Sequence, residues 1–168
     1  KSMMSKKMAA HYCTTWVKEY AREYLLTHGK NYSFENLLDI ARGQIREEEA
    51  GIRTLQSQQA VGPNQKPLFI DTDMYVMKVW CEFVFDKCHH WILNRIAERH
   101  YDLYLLCNID VPWVEDELRE YPDLESRRKL YHYYKDLLVN QHVPWVEISG
   151  DYEERVQKAI AAVDALTG

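Results

Sequence analysis

Pro67-Leu68-Phe69-Ile70-Asp71-Thr72-Asp73 is an apolar run that stops abruptly on carboxylates. A short apolar stretch of this length, bounded by polar residues, reads as a buried strand. The acids place polar chemistry at the strand's C-terminal end. In an open α/β sheet that is where ligands bind. Asp71, at the strand end, has the position of a carboxylate that holds a metal ion. Asp73 has two readings: a functional acid, or the N-cap of the helix that follows, since Asp is a favoured cap.

Outward from this strand, strands and helices alternate. Residues 74–85 and 86–100 read as two helices, and Tyr101-Asp102-Leu103-Tyr104-Leu105-Leu106-Cys107 as a second buried strand. Residues 108–123 are polar and marked by prolines, long for a connector, and so are expected to be a functional loop or lid. The lid is set at about 109–128. Residues 124–141 read as helix, 143–148 as strand, Ser149-Gly150-Asp151 as a turn and 152–166 as the closing helix. Upstream, residues 1–12 read as helix and Cys13-Thr14-Thr15-Trp16-Val17 as a strand. Residues 19–26 read as loop plus a helical turn. Ser33 is the expected N-cap of a long helix from 34 to about 59, with Leu37, Leu38, Ile40 and Ala41 at helical spacing, and Gly62-Pro63-Asn64 breaks it. The alternation implies an α/β fold in three layers, α/β/α, with a mostly parallel sheet and a lid. The whole of 1–168 reads as one domain, without repeat or linker.

Composition narrows the function. The 168 residues are 46% hydrophobic and 28% charged, values of an ordinary globular domain. A net charge of -5 argues against binding nucleic acid by broad phosphate neutralisation. A membrane span needs about 18 apolar residues in a row, and the sequence has no such run. No signal peptide is visible. The four cysteines form no CxxC pair and read as reduced thiols of a cytoplasmic protein. Cys81, Cys88, His89, His90 and His100 fit no common zinc spacing.

Several constellations carry the chemistry. Lys1-Ser2 opens a helix, as the last two residues of a Walker A loop do. There the lysine neutralises the outer phosphates, the hydroxyl ligates Mg²⁺ and the helix N-terminus faces the anion. The strand and glycines that complete such a loop are expected upstream of Lys1. Glu19 and Arg22 follow a strand end. A carboxylate there can accept from sugar hydroxyls and an arginine can pair with phosphate; the alternative is a solvated i,i+3 pair. On the lid, Arg119 with Arg127 and Arg128 can close over transferring phosphates; the alternative is that they pair with nearby acids. Trp113 can stack on a ring or pack under the loop.

Taken together, Lys1-Ser2, Ala9-Ala10-His11-Tyr12, Trp16 to Tyr24, Phe69-Ile70-Asp71-Thr72-Asp73 with Lys78, Tyr101 to Leu106, Asp110-Val111-Pro112-Trp113 with Arg119, and Ser149 to Arg155 resemble the NadR-type ribosylnicotinamide kinase domain of the P-loop kinases. The resemblance covers nearly the whole chain. It departs at Met3-Met4, where Thr-Leu is expected, and at Met77, where threonine is expected. It implies ATP-dependent phosphorylation of the 5′-hydroxyl of nicotinamide riboside to nicotinamide mononucleotide, with ATP and Mg²⁺ as cofactors. By matched position, Lys1 meets the β- and γ-phosphates, and Ser2 and Asp71 hold the metal. Asp71 supports the metal or the attacking hydroxyl. Glu19, Arg22, Asp73 and Trp113 line the nucleoside site. Arg119, Arg127 and Arg128 supply lid charge, and Ser149-Gly150 approach adenine. The expected partners are the nucleoside and ATP, with no nucleic acid and no membrane. The family often carries a fused adenylyltransferase domain upstream, and self-association into a homo-oligomer is left open. Two alternatives stay open: a nucleotide-binding regulatory ATPase domain, and a kinase for another nucleoside.

Overall fold

A computed structural model describes residues 2–58, 66–112, 114–115, 118 and 120–167. Along the chain lie α1 (Ser2–His11), β1 (Trp16–Val17), α2 (Tyr20–His28), α3 (Phe34–Gln58), β2 (Phe69–Ile70), α4 (Met74–Phe85), α5 (His90–Glu98), β3 (Tyr104–Cys107), α6 (Leu124–Val139), β4 (Trp145–Ile148) and α7 (Tyr152–Thr167). Pairing is parallel, as expected. It falls into two pairs: β1 with β2 (Trp16 opposite Phe69) and β3 with β4 (Tyr104 opposite Trp145). Each pair is joined by a helical crossover, as parallel neighbours require.

The strands are shorter than expected, β2 being Phe69–Ile70, β3 starting at Tyr104 and β4 at Trp145, and three further boundaries differ for a local reason. The first strand starts at Trp16, not Cys13. Cys13 takes a left-handed backbone (φ 49°). Its N–H donates to the Ala10 carbonyl and that of Thr14 to the Ala9 carbonyl. That is the Schellman closure of α1, and it uses the residues expected to be strand. Residues 20–28 form a full helix where loop plus one turn was expected. The fifth helix begins at His90, not 86. Asp86 is left-handed and ends α4. His89 then stacks on Phe34 with ring centroids 3.7 Å apart. Its Nε2–H donates to the Phe34 carbonyl at 2.8 Å, which pins 87–89 to the start of α3. The long helix keeps its expected cap: Ser33 Oγ accepts from the Asn36 N–H, and Asn36 Oδ1 accepts from the Ser33 N–H.

Two apolar clusters hold these elements. One joins α2, α3, α4 and α5 through Leu25, Leu37, Ile40, Ile45, Met77 and Ile92. The other joins α1 and α7 to the strands through Met8, Phe69, Ile148, Ala159 and Val163. Because Phe69 belongs to β2 and Ile148 to β4, this second cluster ties the two strand pairs together. Each fully buried aliphatic contributes about 1.5–3 kcal/mol. Tyr12, just past α1, adds a hydrogen bond to Asp164 of α7 at 2.6 Å. Among the described residues no helix is long and apolar enough to cross a membrane.

Candidate active site

The ladder of β1 and β2 runs one residue past the strand. The Asp71 N–H donates to the Val17 carbonyl at 3.0 Å. This backbone bond carries the Asp71 carboxylate to the strand's C-terminal end, where it is buried. Asp71 lines a cavity of about 1880 Å³ together with Ser2, Glu19, Arg22 and Asp73. The cavity continues between the strand pairs, where Phe69, Ile70, Leu105 and Leu106 line it. Ser2 opens α1, and no acidic residue stands in that helix's first turn. The partial positive charge of the N-terminus is thus not neutralised from within α1, which favours an anion there.

Glu19 is placed by a residue far along the chain. It is the N-cap of α2, yet its side chain makes no cap hydrogen bond. The first N–H of α2, that of Tyr20, is instead taken by Gln44 Oε1 at 2.8 Å. Gln44 Nε2 donates to the Lys18 carbonyl at 3.0 Å. One buried amide thus brackets Glu19 on both sides and satisfies a helix-end donor that needs a partner. Glu19 and the exposed Arg22 both face the cavity. Close approach of α2 and α3 is permitted by Gly43, where a Cβ would lie 1.9 Å from the Tyr20 ring.

Asp73 caps α4: its carboxylate accepts from the Val76 N–H at 3.1 Å. Both sequence readings of Asp73 bear on one group, since the capping carboxylate also lines the cavity. Burial pushes its carboxyl above the ordinary range, against the Val76 and Tyr75 N–H groups that favour the charge. The Tyr104 hydroxyl bonds to it, and burial followed by the Asp73 charge pushes that phenol up. Beyond Tyr104 lies a second acid, Glu48, which is 2% exposed. It accepts from Arg99 Nη1 at 2.9 Å and from the Tyr101 hydroxyl at 3.1 Å. Burial raises the Glu48 carboxyl, and Arg99 opposes the rise.

The second strand pair carries the other expected residues. Ser149 and Gly150 follow β4, and Gly150 is left-handed (φ 101°). The Gly150 N–H donates to Asp110 Oδ2 at 2.7 Å. Lys158 donates to the Ser149 carbonyl at 2.8 Å. Arg127 donates to the carbonyls of Ile109 (3.1 Å) and Val111 (3.3 Å), so it holds the beginning of the lid segment. Arg128 is exposed. Ser149, Gly150, Arg127 and Arg128 do not line the cavity that gathers Ser2, Glu19, Arg22, Asp71 and Asp73. Lys1, Trp113 and Arg119 lie outside the described residues.

Gln44 and Glu48 were not singled out from the sequence, although a signal existed. They fall on the buried stripe of α3, in step with Leu37, Ile40, Ala41 and Ile45. Polar residues at apolar phase on an amphipathic helix need partners, and so mark buried networks.

A family model described as an AAA domain matches residues 1–155. The chain belongs to the AAA domain family. Over its full length this AAA domain is 25% identical, across 173 residues, to the trifunctional NAD biosynthesis/regulator protein NadR of Escherichia coli (strain K12). It is 25% identical, across 175 residues, to the protein of the same name from Salmonella typhimurium strain LT2. It spans 40% of the length of each. In three dimensions the AAA domain resembles a crystal structure of NadR protein in complex with NR. The TM-score is 0.78 at 21% identity, covering 99% of this chain and 46% of that one. NadR protein in complex with NAD and AMP-PNP matches at a TM-score of 0.69 with the same coverage. These likenesses establish the fold: the α/β, parallel, P-loop kinase-like arrangement expected from the sequence.

Proposed function

We propose that this AAA domain transfers the γ-phosphoryl group of ATP to the 5′-hydroxyl of nicotinamide riboside, giving nicotinamide mononucleotide in NAD biosynthesis and salvage. One observation carries the reading. Ser2 at the mouth of α1, Asp71 at the end of β2, and Glu19 and Arg22 at the start of α2 converge on one cavity. A phosphate donor and a sugar acceptor must meet in one such cavity. The relationship to NadR proteins, one of them bound to NR and one to AMP-PNP, supports it.

In this reading Lys1 contacts the β- and γ-phosphates and the N-terminus of α1 receives them. Glu19 and Asp73 orient the ribose, and Arg22 and Trp113 complete the nucleoside site. The 5′-oxygen bonds to the γ-phosphorus as the bond to the β,γ-bridging oxygen breaks, and ADP leaves. The hydroxyl proton passes towards the carboxylate end of β2, where Asp71 steadies the attacking group or the metal. Arg119, Arg127 and Arg128 contribute lid charge, and the Ser149-Gly150 turn borders adenine. A serine hydroxyl and a carboxylate are hard oxygen donors of the kind Mg²⁺ takes alongside phosphates, so Ser2 and Asp71 fit it. When bound, Mg²⁺ neutralises charge across the phosphates. The 40% coverage of the NadR relatives leaves room for a fused adenylyltransferase domain in the whole protein, and the reading sets the reaction in the cytoplasm.

The test is ADP release by the full-length protein across a panel of nucleosides, with Asp71→Asn alongside. Turnover with nicotinamide riboside, lost in the folded variant, is expected. Turnover with another nucleoside alone moves the reading to a different nucleoside kinase. ATP binding without any acceptor turnover moves it to a regulatory domain. Undiminished activity of Asp71→Asn removes Asp71 from the site.

A further inference from the structure

Arg155 is 6% exposed, although it carries a permanent charge on an element that begins at the surface. Its guanidinium engages three groups on two segments. Nε donates to the Gly150 carbonyl at 2.8 Å. Nη2 donates to the Asn108 carbonyl at 3.1 Å and pairs with Asp110 Oδ1. The other oxygen of Asp110 accepts the Gly150 N–H at 2.7 Å. Both polar groups of the Gly150 backbone are therefore held by one ion pair. That pair also bridges the C-terminal ends of β3 and β4.

The neighbouring groups are engaged as well. Lys158 holds the Ser149 carbonyl and hydroxyl, while Asp151 and Glu154 cap each other's backbone N–H. Residues 109–111 are gripped from α6 by Arg127. A buried charge is costly unless fully paired, and here every pairing bears on the placement of one turn. Gly150 itself has a left-handed backbone (φ 101°), which any other residue would adopt only with strain.

We propose that Asp110 and Arg155 are positioning residues for the nucleotide base, setting the Ser149-Gly150 turn against the start of the lid. This rests on the reading above that the turn borders adenine. The Gly150 N–H is already taken, so the turn meets the base through its shape and the remaining acceptor capacity of its carbonyls, and the placement of both depends on the ion pair. Loosening it costs base affinity and leaves the triphosphate's own affinity intact.

The experiment measures, on the full-length protein, the Kd of a non-hydrolysable ATP analogue and of inorganic tripolyphosphate for wild type, Asp110→Asn and Arg155→Lys. Steady-state kinetics and thermal melts are run in parallel. Wild type should bind the analogue more tightly than tripolyphosphate. Each variant should bind the analogue about tenfold more weakly, the loss of about one charge-assisted hydrogen bond, with tripolyphosphate unchanged. KM for ATP should rise likewise, with kcat and the nucleoside KM held. If Arg155→Lys fails to fold, Asp110→Asn decides. Unchanged analogue affinity overturns the proposal, as does an equal loss for both ligands. Equal wild-type affinity for both ligands also overturns it, since the turn then meets no base. A wild type that binds the analogue preferentially but does not turn over nicotinamide riboside defeats the proposed activity and leaves the positioning role to be judged by the variants.

Discussion

Replacing Gln44 with leucine tests how the nucleoside side of the site is held. Leucine keeps the volume and loses both polar atoms. Two hydrogen bonds disappear, the 2.8 Å bond from the Tyr20 N–H and the 3.0 Å bond to the Lys18 carbonyl. Gln44 is 1% exposed, and both backbone partners are partly buried. A deserted backbone group in such a place costs about 1–3 kcal/mol. Partial water access favours the lower end, so the pair sums to about 2–3 kcal/mol after the small apolar gain. That is a large share of the roughly 5–15 kcal/mol that stabilises a domain. Urea denaturation should show the loss as a lower midpoint with an unchanged slope. The functional consequence follows from what sits between the two bonds: Glu19 loses its frame, so KM for the nucleoside should rise more than KM for ATP. A stability change under about 0.5 kcal/mol with an unaltered nucleoside KM would refute the idea that Gln44 frames Glu19.

Two further outcomes follow from local geometry. Cys13 is an exposed, left-handed non-glycine residue, and αL costs such a residue about 1–2 kcal/mol. Cys13→Gly should stabilise the protein by about 0.5 kcal/mol once the added freedom of the unfolded glycine is subtracted; a lower melting temperature would contradict the helix-closing role of this residue. Glu147 is held at about 2, well below its ordinary 4.5, first by the Lys135 ammonium and then by Tyr131 and Asn108. A folded-state value below the unfolded one means the contribution is present above about 4.5 and fades as pH falls towards 2. The melting-temperature gap between wild type and Glu147→Gln should therefore be small, since the side chain is about a third exposed. It should also be larger at neutral pH than at pH about 3. A gap independent of pH would assign the effect to packing.

What could be read from the sequence was local. The Ser33 cap involves residues three apart. The acid-ended strand is announced by its own five residues. What could not be read depends on contacts across the chain. The second helix buries only Ala21 and Leu25, so its apolar periodicity is faint. Its first N–H is satisfied from α3, 24 residues on. Arg99 meets Glu48 at a separation of 51 residues, and Arg155 meets Asp110 at 45. Neither pair leaves a spacing signature. The late start of the first expected strand has the same lesson in reverse: β-propensity at Cys13-Thr14-Thr15 yields to the need to satisfy the last carbonyls of α1.

The central claim is phosphoryl transfer to a sugar hydroxyl in the cavity shared by Ser2, Glu19, Arg22 and Asp71. The full-length protein, incubated with ATP, Mg²⁺ and nicotinamide riboside and followed by phosphorus NMR, tests it most directly. A new monoester resonance coupled to the C5′ protons should grow in step with ADP, together with any pyrophosphate diester that an adenylyltransferase domain makes from it. Inorganic phosphate growing in step with ADP, with neither nucleotide product formed, would contradict the transfer.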